Sequence, residues 1–581
     1  MKKLYIISFI AFLLAFSGCT EPEKRPQEYS LILVETSDVH GAIFDYDFIN
    51  DRQASSSLSK VHSYVNELRK NKNVILMDNG DILQGQPIVY YYNFENVEAK
   101  HICSEVMNYM EYDVATIGNH DIEAGHAVYD KLRDEFNFPW LAANAVKKDG
   151  SQYFEPYKII MKDGVKIAVF GLITPGIPKW LPEELWSGIE FEDMVESAKK
   201  WVPQILEKEN PDLLVGLFHS GYEYTYGNTN YETYKNENAS LIVAEQVPGF
   251  DVIFVGHDHK TWNEKIENVN GDQVLILGPR NSAKQVVTAN IDFKLNAEGK
   301  YEKIILGDVV EMNDFKADSL FNNEFNVVFK EVKDFVSKEV GVFSKSVSTH
   351  KALYGPSEFI DLIHHIQLEI SKADVSFAAP LSFKSVIDKG PVYVGDMFKL
   401  YRFENFLYTM NLTGSEIDKY LEYSYANWFN TMKNEDDHLL LFKLEKDNKK
   451  TLLNNYYNFD VASGIKYTVD ITKPINDKVT INSMSENKDF YMDSTYVVAI
   501  NSYRGNGGGG HLIEGVGLSK EELLSRRINS TEKDLRYYMM KWIEEKGIVE
   551  PELKNEWSVI PEKWWMKAKE KDEKILNPVK K

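Results

Sequence analysis

The chain has 581 residues, of which 43% are hydrophobic and 27% are charged, so it can build a sizeable core and is not globally disordered. Its 66 basic and 88 acidic residues give a formal net charge of −22. This charge excludes binding of polymeric DNA or RNA through bulk positive charge, because such affinity comes largely from neutralising phosphates. An anionic substrate must be small and held by a local positive charge, which a metal ion could supply.

The N-terminal segment is typical of a bacterial lipoprotein signal. Two lysines precede an apolar run from Leu4 to Phe16 that is too short to span a bilayer, and Cys19 follows shortly after. The sequence predicts a signal peptide over residues 1–18, lipidation of Cys19 and a solvated tether over residues 19–28. We therefore expect export and anchoring to a bacterial membrane, in the periplasm or on the cell surface. An ordinary signal peptide with an incidental cysteine is the alternative.

Residues 29–300 alternate short apolar runs with amphipathic stretches, which indicates an α/β domain. Strands are predicted at seven apolar runs: Leu31–Thr36, Val74–Asp78, Val114–Ile117, Lys166–Leu172, Leu213–Phe218, Val252–Val255 and Val274–Leu277. Helices are predicted between them, at Ser57–Arg69, Met194–Leu206 and Ala239–Gln246.

The remainder of the chain has a different texture. Residues 301–350 are charged and helix-prone, which predicts a helical connector or hinge. A second domain is predicted over residues 351–546, with helices near Glu358–Ile370 and Ser415–Ser424 and a terminal helix near Glu532–Lys546. Residues 547–581 form a C-terminal tail, and its Lys-rich part beyond Trp557 is predicted to be a surface strap rather than a binding site.

Polar residues cluster where five of the predicted strands end. Because the carboxyl ends of strands in an open α/β sheet converge on one edge, these residues are expected to meet there. They are Asp38, His40, Asp81, Asn119, His120, Asp121, His219, His257 and His259. Any one of these motifs could be an ordinary surface turn. Clustered carboxylates without partners are costly, and two divalent cations, one carboxylate bridging both, would resolve that cost.

These motifs resemble the calcineurin-like metallophosphoesterases, and the stretch from Asn79 to Gly85 (Asn-Gly-Asp-Ile-Leu-Gln-Gly) is similar to the 5′-nucleotidase branch. The resemblance covers nearly the whole mature chain. It implies an α/β fold in which a four-layer α-β-β-α metallophosphatase domain (29–300) precedes a mixed α+β, nucleotide-binding C-terminal domain (351–546).

The resemblance also implies two divalent metal ions and their ligands. One ion would be held by Asp38, His40, Asp81 and His259, and the other by Asp81, Asn119, His219 and His257, so that Asp81 bridges them. Histidine and carboxylate ligands suit Zn, Mn, Co or Fe, and the sequence leaves the choice open.

His120 is not a ligand in this family, and the resemblance assigns it to transition-state stabilisation beside the phosphate. Many 5′-nucleotidases carry an Asp three residues after this His and paired with it, whereas this chain has Glu123 there. Asp121 is the alternative partner, so the catalytic candidates are His120, Glu123 and Asp121. A metal-activated hydroxide would attack phosphorus in line, with His120 facing the leaving oxygen.

The second domain bears on the substrate. The Gly-Gly-x-Arg stretch that typical 5′-nucleotidases use to hold phosphate is replaced by Ala378-Ala379-Pro380 and its neighbours. This segment, with residues 400–405, 457–467 and 501–510, resembles the 2′,3′-cyclic-nucleotide 2′-phosphodiesterase/3′-nucleotidase subgroup. A cyclic phosphate carries one charge, so it would need less cationic help than a monophosphate.

In the family, two aromatic residues sandwich the nucleobase, and Phe459 and Tyr503 occupy those positions here. Stacking suits a broad nucleotidase because every base has a π-face. Arg504, flanked by glycines, could offer a cation to phosphate or a plane to the base. The plain alternatives are that the aromatics are core residues and that the glycine loop is simply mobile.

We therefore predict a lipid-anchored, dinuclear-metal phosphohydrolase that acts on 2′,3′-cyclic nucleotides and 3′-nucleotides. A 5′-nucleotidase or nucleotide-sugar hydrolase is the alternative, and a non-catalytic surface binding protein is a remote one. The predicted partners are a small nucleotide and a membrane reached through the lipid. No polymeric nucleic acid and no obligate protein partner are expected.

Overall fold

The computed structural model describes residues 25–226, 229–445 and 449–577. The predicted signal peptide and Cys19 lie outside these residues. Within the described residues, no helix combines the length and the apolar character needed to cross a membrane.

The first six-stranded sheet contains both parallel and antiparallel pairs. Its strands, in spatial order, are Tyr301–Glu311, Gln285–Leu295, Glu28–Thr36, Asn73–Asp78, Val114–Thr116 and Trp140–Leu141. The last four run parallel, whereas Gln285–Leu295 is antiparallel to both of its neighbours. The parallel strands therefore bring their carboxyl ends to one edge.

The second six-stranded sheet also combines four adjacent parallel strands with antiparallel ones. Its strands are Trp262–Glu267, Gln273–Gly278, Val252–Val255, Leu213–His219, Val165–Ile173 and Tyr157–Lys162. The central four are parallel and the two outer strands are antiparallel to their neighbours.

Consecutive residues of the central strands are apolar because both faces of each sheet are covered. In the first strand Leu31 and Leu33 pack between the two sheets, whereas Ile32 and Val34 face helices on the outside. Those helices are Leu58–Arg69, Ile102–Tyr109 and His126–Glu135 on the first sheet, and Met194–Glu209 and Ser240–Gln246 on the second. The four layers, helix on sheet on sheet on helix, confirm the predicted fold.

The predicted helical connector over residues 301–350 begins as a strand instead. Tyr301–Glu311 pairs along its length with Gln285–Leu295, and Ile305 and Val309 pack onto the core between the sheets. Its period-2 alternation of half-buried and exposed residues suits an outer strand. Helices then follow at Ser319–Glu324 and Asn326–Val336, so only the later part of the segment is helical.

The second domain is built on a mixed five-stranded sheet, as predicted for an α+β unit. Its strands are Val461–Ser463, Val375–Ala378, Thr495–Asn501, Leu407–Thr413 and Arg527–Ser530. Its longer helices are Glu358–Ser371, Val394–Leu400, Gly414–Ala426 and Leu535–Lys546. Glu358–Ser371, Gly414–Ala426 and Leu535–Lys546 begin at a side-chain N-cap: Ser357, Thr413 and Asp534.

The tail beyond residue 546 belongs to the second domain rather than lying on it as a strap. Trp557–Ile560 joins a three-stranded sheet with Ile465–Asp470 and Val479–Met484, and Ile548–Val549 joins another with Glu339–Phe343 and Gly390–Tyr393. The buried side chain of Trp557 packs into the domain core. Ala568 of the final helix, Glu562–Leu576, packs there as well.

Shorter elements connect these sheets and helices. Helical turns lie at Pro87–Tyr90, Asn119–Glu123, Ile177–Trp180, Glu183–Trp186, Ser502–Gly505 and Lys520–Arg526. Two-stranded ribbons pair Tyr46–Asp47 with Arg52–Gln53, Ile189–Phe191 with Ala145–Lys147, Val347–Ser348 with Val386–Ile387, and Phe442–Leu444 with Lys450–Leu452.

Candidate metal centre

The seven predicted metal ligands lie at the carboxyl ends of parallel strands, and five have an uncommon backbone conformation. Asp38, His40, Asp81, His257 and His259 have φ values of 51°, 50°, 60°, 73° and 58°, in the left-handed region. Non-glycine residues rarely adopt this conformation, and it concentrates at functional sites where surrounding structure enforces it. These turns reverse the chain directly after each strand and direct the polar side chains to one edge.

Two glycines allow the turns to approach each other closely. Gly80 has φ of 85°, and a Cβ there would lie 2.5 Å from the Gly118 nitrogen. A Cβ on Gly118 would lie 2.2 Å from Asp81 Oδ1. Any larger residue at either position would push the turns apart, so the sequences Asn-Gly-Asp and Gly-Asn-His-Asp both depend on their glycines.

The first ligand group consists of Asp38, His40 and His259, whose ligand atoms all lie within 4.8 Å of one another. His259 Nε2 lies 3.2 Å from Asp38 Oδ1 and 3.1 Å from His40 Nε2. Two imidazole nitrogens and a carboxylate oxygen thus point at one position.

The second ligand group consists of Asp81, His219 and His257, which satisfy the same distance. His219 Nε2 lies 3.2 Å from Asp81 Oδ2. The Asn119 Oδ1 atom joins the group, at 3.2 Å from His219 Nε2 and 2.8 Å from His257 Nδ1. All seven predicted ligand residues are therefore brought together in two adjacent groups. The bridging role of Asp81 stays a prediction.

Backbone carbonyls orient two of the imidazoles. His40 Nδ1 lies 3.0 Å from the Gln84 carbonyl and His219 Nδ1 lies 2.5 Å from the Asn79 carbonyl. In each ring Nδ1 donates to a carbonyl oxygen, which directs Nε2 toward its ligand group. The Asn79 side chain is itself fixed, because its Nδ2 donates to Glu35 Oε1 and to the Phe218 carbonyl, each at 2.9 Å.

The ligand groups have the properties of cation sites. Burial lowers the pKa of His40 to about 3, with His259 acting in the same sense, so the ring is neutral. Burial opposes the charged form of Asp38, but the nearby His259 and His219 hold its pKa well below the usual range. Asp38 Oδ1 is buried and has no hydrogen-bond partner among the described residues. An anionic oxygen without a hydrogen-bond partner, close to imidazole nitrogens, fits a divalent cation.

His120 has a carboxylate partner beside the ligand groups. Its Nδ1 lies 2.5 Å from Glu123 Oε2, one helical turn along Asn119–Glu123. Although burial opposes it, Asp81 and Glu123 raise the pKa of His120 to about 10. Its backbone N–H donates to Asp81 Oδ1 at 2.8 Å. Of the two predicted partners of His120, Glu123 is therefore the one whose carboxylate contacts the ring.

The role considered for Asp121 needs correction. Its carboxylate is fully buried and accepts from the backbone N–H groups of Gly118, Asp81, Ile82 and Leu83, at 2.8 to 3.0 Å. Four donors fill its acceptor sites, so it holds the turn after Asn73–Asp78 against the turn after Val114–Thr116. Asp121 supports the geometry rather than pairing with the His120 ring.

The role considered for Arg504 also needs correction, because this side chain is only 1% exposed. Its Nε and Nη2 donate to Asp460, Nη2 also donates to the Tyr457 carbonyl, and Nη1 donates to the Gly508 carbonyl. The guanidinium is therefore engaged with the second domain itself, where it lowers the pKa of Asp460 against the effect of burial.

Phe459 is a core residue in this structure and not one wall of a base clamp. It is 0% exposed, and its ring stacks on Trp428 with centroids 5.2 Å apart and an angle of 13°. Tyr425 and Phe429 also contact it. The alternative of a plain core aromatic, considered from the sequence, is the one that the structure supports.

Tyr503 is half-buried and remains a candidate for base binding. The Arg504 guanidinium lies 5.2 Å from its ring centroid, and a Cβ on Gly508 would lie 2.6 Å from the ring. Burial raises the pKa of Tyr457, with Tyr226 and Tyr503 adding to the shift, so these three phenols lie near one another. Tyr457 was not predicted from the sequence. In the stretch Tyr-Tyr-Asn-Phe-Asp, residue type alone does not tell which aromatic ring is buried and which is partly exposed.

Two further residues beside the ligand groups were not predicted. The Trp180 ring stacks on His257, with centroids 5.6 Å apart and an angle of 26°. Glu237 Oε1 lies 3.7 Å from His257 Nε2. Neither follows a central strand, so the strand-end signal that found the ligands could not have found them.

Two family models match the chain. The model for calcineurin-like phosphoesterases matches residues 33–261, and the model for the 5′-nucleotidase C-terminal domain matches residues 337–514. The two matches together include every predicted ligand and Tyr503.

Curated relatives share about a quarter of their residues with this chain. A 2′,3′-cyclic-nucleotide 2′-phosphodiesterase/3′-nucleotidase of Yersinia enterocolitica is 26% identical, over 96% of this chain and 91% of its own length. The trifunctional nucleotide phosphoesterase YfkN of Bacillus subtilis is also 26% identical over 96% of this chain, but the chain spans only 40% of that relative. A 5′-nucleotidase of Vibrio cholerae is 30% identical over 45% of this chain and 47% of its own length.

Solved structures share the whole two-domain fold. A Staphylococcus aureus protein described as a 5′-nucleotidase superposes with a TM-score of 0.75 at 20% identity, over 91% of this chain and 99% of its own. A 5′-nucleotidase precursor of Thermus thermophilus superposes with a TM-score of 0.62 at 19% identity, over 92% and 100%. At this identity the likeness concerns the fold.

Proposed function

We propose, from the premise that this chain belongs to the calcineurin-like phosphoesterases with a 5′-nucleotidase C-terminal domain and is a phosphoric ester hydrolase, that it hydrolyses 2′,3′-cyclic nucleotides and 3′-nucleotides. The observation that carries the proposal is the pair of adjacent ligand groups, Asp38 with His40 and His259 beside Asp81 with His219 and His257, next to the His120–Glu123 pair.

The residues of both groups fit divalent cations. Asp38, His40 and His259 would hold one, and His219, His257 and Asn119 the other, with Asp81 between them. Bound cations would lower the pKa of water to generate hydroxide near neutral pH and would neutralise charge on phosphate oxygens. Zn, Mn, Co and Fe all suit this donor set.

His120 is the group of this chain that we assign to the leaving oxygen. The Glu123 carboxylate accepts from Nδ1, which fixes the ring and leaves Nε2–H as the donor in the protonated form. A raised pKa keeps that proton present at neutral pH. His120 would therefore stabilise negative charge on the leaving oxygen and can transfer a proton to it.

Tyr503 and Tyr457 are the residues that we assign to the nucleobase, in place of the pair Tyr503 and Phe459. Both are partly exposed. The Arg504 guanidinium donates to the Tyr457 carbonyl and lies beside the Tyr503 ring, so it helps to hold both residues in place. A base stacked on an aromatic ring gains about 1–3 kcal/mol without regard to base identity. Two rings that hold the base between them would bind any nucleobase, so the enzyme would accept nucleotides with different bases.

The substrate preference rests on the relatives and on the phosphate-binding side chains. The relatives named 2′,3′-cyclic-nucleotide 2′-phosphodiesterase/3′-nucleotidase match 91–96% of this chain. Arg504 is engaged with Asp460, so it adds no cation for a doubly charged 5′-phosphate. A singly charged cyclic diester needs less such help.

An assay of the purified protein on 2′,3′-cyclic AMP, 3′-AMP and 5′-AMP tests this preference. We expect turnover of the first two, its loss in excess EDTA, and partial recovery with Mn²⁺, Co²⁺ or Zn²⁺. Turnover of 5′-AMP alone would contradict the substrate assignment, and full activity in excess chelator would contradict the metal-dependent mechanism.

A 5′-nucleotidase or nucleotide-sugar hydrolase is the second candidate. It is favoured by the fold shared with solved 5′-nucleotidases and by the 30% identity to the Vibrio cholerae 5′-nucleotidase. The same assay decides between the two.

We also propose that the protein is exported and anchored by a lipid on Cys19, a proposal that rests on the sequence of residues 1–19 alone. Metabolic labelling with an alkyne fatty acid should label the wild type and not Cys19→Ser. Equal labelling of the two proteins would exclude the anchor.

A further inference from the structure

The ring of His257 is held by groups that also lie close to the second domain. Its Nδ1 lies 2.8 Å from Asn119 Oδ1, on the side of the second ligand group. Its Nε2 faces Glu237 Oε1 at 3.7 Å, and its face is covered by Trp180. His257 is 15% exposed and Glu237 is 18% exposed, so this arrangement is largely shielded from water.

Glu237 completes a pattern that orients ligand histidines. A metal-binding imidazole commonly directs its second ring nitrogen at a carboxylate, which fixes the tautomer and the ring orientation. Nε2 of His257 points toward Glu237, and Nδ1 points toward the second ligand group, beside Asn119 Oδ1. Glu237 also lies near the base-binding candidate: burial raises the pKa of Tyr503 to about 12, and Glu237 is among the charges that add to the shift.

Trp180 makes the second connection. Its indole packs over Gly176, where a Cβ would lie 2.4 Å from the ring, so the ring can fold back onto His257. Its backbone carbonyl accepts from Asn506 Nδ2 of the second domain at 3.4 Å. The helical turn Ile177–Trp180 packs directly on the turn Ser502–Gly505, which contains Tyr503.

We propose that Trp180 and Glu237 are positioning residues that fix the His257 ring and couple nucleoside binding at Tyr503 to cation binding at the second ligand group. The proposal rests on the assignment of a nucleotide substrate. A nucleoside that orders Tyr503 and its loop also orders Asn506 and the groups around His257, so a cation then binds to a ligand that is already oriented. By linkage, the cation strengthens nucleoside binding by the same factor.

Adenosine is the appropriate probe because it has a base and a ribose but no phosphate to bind the cations directly. Metal-free protein is titrated calorimetrically with Mn²⁺, with and without saturating adenosine. We expect adenosine to strengthen Mn²⁺ binding at the second ligand group by about five- to tenfold, within the usual range of coupling between sites. The reciprocal titration with adenosine should show the same factor.

Variants separate the two positioning residues. Trp180→Ala should retain adenosine binding and lose the coupling, and Trp180→Phe should restore part of it by keeping a ring over His257. Glu237→Gln should weaken the second cation site without any nucleoside, by about 10- to 100-fold as found for such supporting residues. Glu184→Gln is the matched control, because Glu184 lies in the same segment and contacts Arg527 of the second domain at 3.3 Å, away from His257.

Each outcome decides the proposal. Adenosine that binds without changing Mn²⁺ affinity, or coupling that is the same in Trp180→Ala and wild type, would overturn this inference and leave the proposed function standing. Absence of adenosine binding would also overturn this inference, whereas the proposed function is tested separately by the turnover assay. Unchanged cation affinity in Glu237→Gln would remove Glu237 from the proposal. Loss of coupling in Glu184→Gln would show that the coupling depends on the contact between the domains as a whole and not on Trp180 and Glu237.

Discussion

Among the described residues, two of the buried clusters of charged side chains are balanced in opposite ways. In the second domain, the Asp460 carboxylate is met by Arg504 and by the Tyr420 hydroxyl at 2.5 Å. In the first domain, Asp38 Oδ1 has no hydrogen-bond donor among the described residues and faces imidazole nitrogens instead.

The difference indicates which cluster is structural and which one binds a ligand. Buried charges are tolerated when protein groups of opposite charge satisfy them, and such a cluster needs nothing else. A buried cluster left short of positive charge is stable only with a bound cation or with extra protons. The sequence motifs of both clusters suggested a functional site. Of the two, the cluster of Asp38 and its neighbours is the one in which a buried carboxylate oxygen has no hydrogen-bond partner among the described residues.

The largest expected effect comes from removing the carboxylate at the centre of the ligand groups. Asp81→Asn should lower kcat/KM by on the order of ten-thousandfold, ~5 kcal/mol, because it removes an anionic ligand that we predict to be shared by two cations. Metal content by mass spectrometry should fall in parallel. Asp292→Asn, at an exposed carboxylate on the strand Gln285–Leu295 of the first sheet, is the control. Activity within tenfold of wild type in Asp81→Asn would contradict the assignment.

Breaking the balanced cluster should affect stability more than catalysis. Arg504→Met leaves Asp460 buried without its cation and should lower the free energy of unfolding by about 3–5 kcal/mol, measured by chemical denaturation. The double variant Asp460→Leu/Arg504→Met should lose less than the single variant, because no unpaired charge remains. A raised KM for nucleotide with unchanged stability would instead return Arg504 to a phosphate-binding role.

The aromatic residues of the second domain should divide in the same way. Tyr503→Ala should raise KM by roughly five- to 150-fold, from the loss of about 1–3 kcal/mol of stacking, and leave the free energy of unfolding nearly unchanged. Phe459→Leu should have little effect on KM but lower stability by about 1–2 kcal/mol, because its ring lies in the core. The reverse pattern would show that Phe459 is the base-binding residue.

The smallest expected effect is a difference in acid sensitivity. The pKa of Asp460 is lowered in the folded protein, where Arg504 outweighs burial. The stability from this pair is therefore fully present above the unfolded pKa of about 3.9 and is lost as pH falls through the folded value. Below pH ~4 the free energy of unfolding should fall more steeply with pH in wild type than in Asp460→Asn. Parallel profiles would show that the carboxylate carries no such contribution.

Strong local patterns predicted most of the fold and the metal centre. Continuous apolar runs marked the seven strands, because both faces of each sheet are covered, and five of the strands carried predicted ligands within a few residues of their ends. The strand Tyr301–Glu311 was missed because its outward half is charged and resembles a helix-prone segment. The Trp557–Ile560 strand was missed because its partner, Ile465–Asp470, is distant in sequence.

The sequence by itself determined which residues could bind cations, because ligand identity and position after a strand are local properties. It could not determine which polar group meets which. Glu123 rather than Asp121 faces His120, Arg504 turns inward to Asp460, and Tyr457 rather than Phe459 is exposed near Tyr503. Trp180 and Glu237 reach His257 from segments that no strand-end pattern marks. Only tertiary packing decides these contacts, because each depends on which side of a turn or helix faces a neighbour far away in the chain.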